Sequence, residues 1–222
     1  MDPPPSLPAQ SSHPFKIILG SSSSSRRLIL EEMGYQFSIM TADIDEKAIR
    51  MEEPEELVMT LAQAKADAIL EKLKGTDGYY TENDDGQPTL LITADQVVVH
   101  EGVIREKPSS KEEARQFVKS YSNGCASTVG SVLVTNLKTG IKKGACDTAE
   151  VYFHEIPDEV IDNLIEEGTV LYVAGGLLVE SPLTSPFVSA MVGTIDSVMG
   201  FPKDLAEKLI QEALQTPSLP IL

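Results

Sequence analysis

The chain alternates short apolar runs with longer stretches of helical periodicity. Phe15-Lys16-Ile17-Ile18-Leu19 is a short run that ends at Gly20 and five serines, the pattern of a strand entering a turn. Arg26 to Met33 reads as a helix, with a serine as N-cap, Leu28, Ile29, Leu30 and Met33 as apolar positions, and Gly34 as the stop. Phe37–Met40 is a second strand. Pro54 opens a long helix to about Lys74 that gathers Leu57, Val58, Leu61, Ala62, Ala68, Ile69 and Leu73 on one side. Gly75 to Pro88 reads as a flexible loop, and Leu90 to Val99 as a nearly continuous apolar run suited to a central strand. Ser109 and Ser110 ahead of Glu112 and Glu113 form a capping-box pattern for a helix to about Tyr121. Val129–Leu137 and Ala149–His154 alternate as paired strands around Thr139-Gly140. Pro157–Glu167, stopped by Gly168, and Lys203–Ala213 are the last helices. Strands and helices interleave around one hairpin and no repeat is present, which predicts an α/β fold with a mixed sheet.

Composition narrows the function. The 222 residues, 41% apolar, suffice for one large domain with a substantial core. With 18 Lys and Arg against 34 Asp and Glu, the net charge is −16, so no broad basic face is expected. That argues against a nucleic-acid backbone or an anionic membrane as partner. A small phosphate-bearing molecule would need a local cation cluster or a bridging metal. Cys125 and Cys146 cannot form a disulfide framework, which suggests a reducing compartment, and His13, His100 and His154 lack zinc spacing. Residues 1–14, with five prolines, read as a disordered tail ahead of a domain over 15–222. The tail lacks a secretion signal's basic and apolar regions, and no later run approaches the roughly 18 apolar residues of a membrane span, so a cytoplasmic protein is expected.

Three features do not fit a bland core. Gly20-Ser21-Ser22-Ser23-Ser24-Ser25-Arg26-Arg27 lies between a strand and a helix. Small residues, unpaired helix N–H groups and two guanidiniums describe a phosphate cradle, but no Gly-Lys-Ser/Thr follows, so it is not a P-loop. The alternative is a serine-rich turn with solvated arginines. Lys65 sits among Leu61, Ala62, Ala68 and Ile69 at helical spacing, and must either snorkel to water or meet an anion such as a phosphate. Asp95 interrupts the apolar run of the central strand. It is either a metal ligand, a base that activates water, or a buried cap for backbone groups. Asp43-Ile44-Asp45-Glu46 could hold a divalent metal or be an acidic turn, and Lys107 in Glu106-Lys107-Pro108 and Glu180 carry weaker signals of their own.

Taken together, the blocks Leu19-Gly20-Ser21-Ser22-Ser23 with Arg26-Arg27, Ala42 to Glu46, Leu61 to Ala66, Ala94 to Val97, Glu106 to Pro108 and Val198 to Pro202 resemble the Maf family in order and spacing. The resemblance covers Phe15 to the C-terminal helix. It implies an inosine triphosphatase-like fold, with a long mixed sheet and a cleft between two lobes. It also implies a nucleoside triphosphate pyrophosphatase that uses a divalent cation (Mg²⁺, Mn²⁺ or Co²⁺), and a homodimer. On this reading Asp95 is the proton acceptor and Lys65 and Lys107 are catalytic. Ser21, Ser23, Arg26 and Arg27 bind phosphate, and Glu46 with Asp95 holds the metal.

The departures carry information. The family's loop commonly reads Ser-x-Ser-Pro-Arg-Arg, and here Ser24 and Ser25 replace the Pro and the first Arg. Three positions that carry Arg, Thr and Gln in the dTTP/UTP branch are Ser25, Gln96 and Glu180 here, and they are assigned to substrate specificity. The resemblance is nearer to the 7-methyl-GTP branch, with a non-Arg loop residue, Gln after Asp95 and an acid at the third place, and a carboxylate can accept from the N1–H and amino group of guanine and complements a cationic base. With no Trp in the chain, stacking on the base would need Tyr or Phe. The alternatives are a pyrimidine pyrophosphatase, or a non-catalytic nucleotide-binding regulator of septum formation.

Overall fold

Seven strands among the described residues join in one mixed sheet in the structure, a computed structural model that describes residues 13–75 and 86–215. The strands are β1 (Lys16–Leu19), β2 (Phe37–Ile39), β3 (Thr89–His100), β4 (Val103–Arg105), β5 (Cys125–Asn136), β6 (Lys142–Phe153) and β7 (Val188–Val192). The helices are α1 (Ser24–Glu32), α2 (Pro54–Gly75), α3 (Lys111–Ser120), α4 (Asp158–Glu167), α5 (Ile195–Val198) and α6 (Lys203–Leu214). The strand order is β2-β1-β3-β5-β6-β7, with β4 beside β3. β1 runs parallel to both its neighbours, and every other pairing is antiparallel. The expected mixed α/β sheet is therefore present.

The period-two alternation of β3 divides the core. Leu90, Ile92 and Ala94 pack with Leu209 and Ile210 of α6 on one face, while Leu91 meets Ala62, Ala66 and Ile69 of α2 on the other. Farther along, Val98 enters a second lobe with Val118, Tyr121, Ile161 and Leu164 from the α3–α4 side. No described helix is long and apolar enough to cross a membrane.

What positions the site is a gap in the hydrogen-bond ladder. β1 follows β3 only from Lys16↔Thr89 to Leu19↔Ile92, and β4 takes up the same edge only from Val98↔Arg105 to His100↔Val103. Between them, Thr93 to Val97 has β5 on one side and no described strand on the other. The residue after β1 is Gly20, where a Cβ would stand 2.6 Å from Thr93 Cγ2 and 2.8 Å from Ile69 Cδ1, so no larger residue fits.

Several boundaries differ from the sequence reading. α1 starts at Ser24, two residues before the expected Arg26, because extended Ser23 is the N-cap and its side chain accepts from the Arg26 N–H. The hairpin strands reach back to Cys125 and Lys142, because a polar first half of β6 hides its alternation. β4 and β7 were not anticipated, since both are short and bury little. The described chain begins at His13, whose ring lies 4.7 Å from that of Tyr35. Most of the expected tail and most of the expected loop over 75–88 lie outside the described residues.

One glycine ties the segment after α4 to the second lobe. Gly175 has φ +60°, its N–H donates to Glu106 O at 2.9 Å, and its carbonyl accepts from Tyr121 Oη at 2.7 Å. A Cβ would lie 2.6 Å from Val98 Cβ. Gly175→Ala is expected to lower stability by about 2–3 kcal/mol through backbone strain and overpacking, read as a lower urea midpoint at unchanged slope.

Candidate active site

A cleft of about 520 Å³ opens beside the unpaired stretch of β3, a volume within the range of small-ligand sites. Ordinarily adjacent strand residues serve opposite faces of a sheet. Here Asp95, on the α2 face, and Gln96, on the α5 face, both line the cleft because no strand stands between them and solvent at that edge.

Two hydroxyls fix α2 on the sheet around Asp95. Thr93 Oγ1 donates to Ala62 O at 2.8 Å, and Ser131, opposite Asp95 in β5, donates to Val58 O at 2.7 Å. This anchoring aims Lys65 at the floor of the cleft. Its ammonium contacts Asp95 Oδ1 and lies 3.0 Å from Glu46 Oε1. The side chains of Lys65 and Asp95 are each only 11% exposed, so the lysine has met an anion rather than snorkelled. Glu46 arrives from a short 3₁₀ turn (Glu46–Ala48) that Asp45 caps by accepting from the Lys47 N–H at 3.2 Å. Of the acids in the 43–46 turn, only Glu46 lines the cleft.

Arg26 fills the break in the ladder. Its Nη1 donates to Ala94 O at 2.9 Å and to Ser21 Oγ at 3.3 Å, and its Nε donates to Gly200 O at 3.0 Å. A carbonyl of the open edge thus gains a charged donor in place of a strand. Enclosure pulls the guanidinium below the usual arginine range, while Asp95 and Glu46 push it back up. Ser21, Ser23 and Ser25 line the same wall. Arg27 does not. Its Nη2 donates to Ser22 O at 3.1 Å and its Nε to Ser23 O at 3.4 Å, bracing the loop from outside the cleft.

Lys107 lines the cleft from the loop after β4, exposed and without an anionic partner among the described residues. A small recess continues from the cleft, and Ser25, Gln96 and Glu180 all line it. Gln96 Nε2 donates to Ser197 O and Val198 O, both at 3.0 Å, so its carbonyl oxygen is what it has left to offer. Glu180 sits in a turn; it is open to solvent, yet the crowded wall still raises its carboxyl above the ordinary glutamate value by desolvation. Among the cleft residues that escaped the sequence reading are Lys47 and Tyr172. Lys47 could have been found as a cation next to Glu46; Tyr172 had no local signal.

No group of three or more His, Cys, Asp or Glu side chains is arranged to hold a metal among the described residues. Asp95 and Glu46 nevertheless converge on one ammonium, so their carboxylates can share one cation. Two carboxylates completed by phosphate oxygens and water are a donor set that suits Mg²⁺, so these residues fit a metal that arrives with a polyphosphate.

The family model described as Maf-like protein matches residues 16–213. A 7-methyl-GTP pyrophosphatase of Dictyostelium discoideum is 40% identical over 199 residues, covering 90% of this chain and 98% of that protein. A dTTP/UTP pyrophosphatase of Thermotoga petrophila is 31% identical over 197 residues, 89% of each chain. A nucleoside triphosphate pyrophosphatase of Chlamydia muridarum is 29% identical over 199 residues, 89% of this chain and 93% of that one. Sequence blocks, sheet and cleft agree with these likenesses: the chain belongs to the Maf family.

Proposed function

We propose that the protein hydrolyses a nucleoside triphosphate to the monophosphate and pyrophosphate, with 7-methyl-GTP preferred. The observation that carries this is the convergence of Arg26, Lys65, Asp95 and Lys107 on one cleft. Water adds to the α-phosphorus, the bond to the α–β bridging oxygen breaks, and Asp95 takes the water's proton. Lys65 and Lys107 stabilise charge on the phosphates, and the Ser21 and Ser23 hydroxyls with Arg26 orient them. Arg27 serves by shaping that loop. Asp95 is held by Lys65 in the free protein, so a triphosphate that draws the ammonium away releases a carboxylate for the water.

The cleft's four cations (Arg26, Lys47, Lys65, Lys107) are matched by four acids (Glu46, Asp95, Glu106, Glu180). A triphosphate adds several negative charges to that balance. A divalent cation (Mg²⁺, Mn²⁺ or Co²⁺) held by Glu46 and Asp95 would offset the charge that develops on the phosphate oxygens.

For the base, Ser25, Gln96 and Glu180 form the specificity recess. A Glu180 carboxylate accepts from the N–H edge of guanine and favours a cationic base, whereas uracil presents one N–H between two carbonyls. The name of the Dictyostelium relative supports this preference, and that of the Thermotoga relative supports the pyrimidine alternative.

Asp95→Asn is expected to lower kcat by about 10²–10⁴-fold in a pyrophosphate-release assay with the folded circular-dichroism spectrum kept, because Asn still accepts from Lys65 and Glu46 still pairs with the ammonium. No pyrophosphate from any nucleotide with the wild type would favour the non-catalytic regulator. Chelation with EDTA should stop turnover, and added Mg²⁺, Mn²⁺ or Co²⁺ should restore it. Glu180→Gln should reduce the 7-methyl-GTP to UTP turnover ratio by about tenfold, the effect of losing a charge-assisted hydrogen bond. The same ratio in the wild type should fall as pH drops through the Glu180 pKa, beginning at a higher pH than an ordinary glutamate would give.

A further inference from the structure

We propose that Tyr172 is the platform on which the nucleobase stacks, an inference that rests on the nucleotide reading above and adds the residue that grips the base's face. Eight large hydrophobic side chains are exposed among the described residues, and singly exposed ones are ordinary. Only Tyr172 of the eight lines the cleft, and it is the most exposed of them at 76%. It is also the only aromatic residue among those lining the cleft. Its ring makes no contact with another described ring, and its hydroxyl has no hydrogen bond to a described residue. No described residue therefore engages this side chain through a hydrogen bond or a ring contact.

Its backbone, by contrast, is held. Tyr172 ends a 3₁₀ turn (Thr169–Tyr172) that follows Gly168, where the backbone is left-handed at φ +77° and accepts the Leu171 N–H at 3.1 Å. Three residues on, Gly175 is pinned to Glu106 and Tyr121. The intervening Val173 and Ala174 line both the cleft and the recess that contains Glu180. The aromatic face and the carboxylate thus stand on the walls of one continuous space, and Tyr172 is outside the recess proper. Leu178 and Met199 add apolar surface to the cleft, against which a base's second face can rest.

A base whose N–H edge enters the recess toward Glu180 leaves its flat faces in the wider cleft, where a tyrosine ring can cover one of them. Methylation at N7 makes that base cationic, and a cation over an electron-rich ring gains cation–π attraction that a neutral pyrimidine does not. Tyr172 then favours a methylated purine through the ring face while Glu180 favours it through the edge. Neither residue touches the phosphates.

The chain contains no Trp, so Tyr172→Trp gives a protein with one indole reporter at the position in question. Titration with 7-methyl-GMP, the product of the proposed reaction, should quench its emission saturably. GMP should quench it at higher concentration, and inorganic tripolyphosphate should leave it unchanged. In turnover, Tyr172→Ala should raise KM for 7-methyl-GTP about tenfold with little change in kcat, and Tyr172→Phe should restore it. Because the side chain is exposed, all three variants should keep the wild-type thermal midpoint. A KM for Tyr172→Ala equal to wild type, while Asp95→Asn is inactive, would overturn the platform and leave the hydrolase standing. If the wild type splits no nucleotide, saturable quenching by 7-methyl-GMP would still support the platform, and its absence would overturn it.

Discussion

The whole site depends on a strand that outruns its neighbour. β3 is bonded along its length to β5, from Leu90↔Asn136 to Val99↔Ser127, but its other edge is covered only at the two ends. An uncovered edge in a protein interior would leave backbone groups without partners. Arg26 resolves this at Ala94, and in doing so is carried to the wall of the cleft. The same interruption that opens the pocket therefore recruits its first cation.

A second constraint is electrostatic. Burying Lys65 or Asp95 alone would be costly, and together with Glu46 they form a set that the fold can tolerate. With Arg26 alongside, two cations face two carboxylates and the group is preorganised, so a polyphosphate meets donors already in place rather than side chains that must be ordered first. In a chain of net charge −16, such local pairing is how cations can be presented to an anion at all.

Much of this was legible in the sequence where chemistry and periodicity disagreed. Asp95 stood out because it broke an apolar run, and Lys65 because its helical neighbours were apolar; the structure joins the two. The serine loop was visible as small residues before a helix, though the distinction between Arg26 and Arg27 was not, since it depends on which side of α1 faces the gap. β4 and β7 escaped because short edge strands bury too little to leave an alternating pattern. Tyr172 escaped for a different reason: an exposed side chain in a short 3₁₀ turn has no periodic context, and only the folding of distant segments around β3 makes it part of a wall. Gln96 was placed at the site by family resemblance, while its grip on the carbonyls of α5 needed coordinates.

The pleat of β3 has one more consequence. Asp95 and Gln96 are neighbours in the chain but belong to opposite faces, so the roles proposed for them, handling the anhydride and reading the heterocycle, fall on opposite sides of a single peptide unit. Shifting β3 by one position against β5 would exchange the two, which makes the long, uninterrupted pairing of those strands a safeguard of chemical identity as well as a source of rigidity. On the proposed function, it also means that the recess can be rebuilt for another base from the α5 side without touching the Lys65–Asp95 pair.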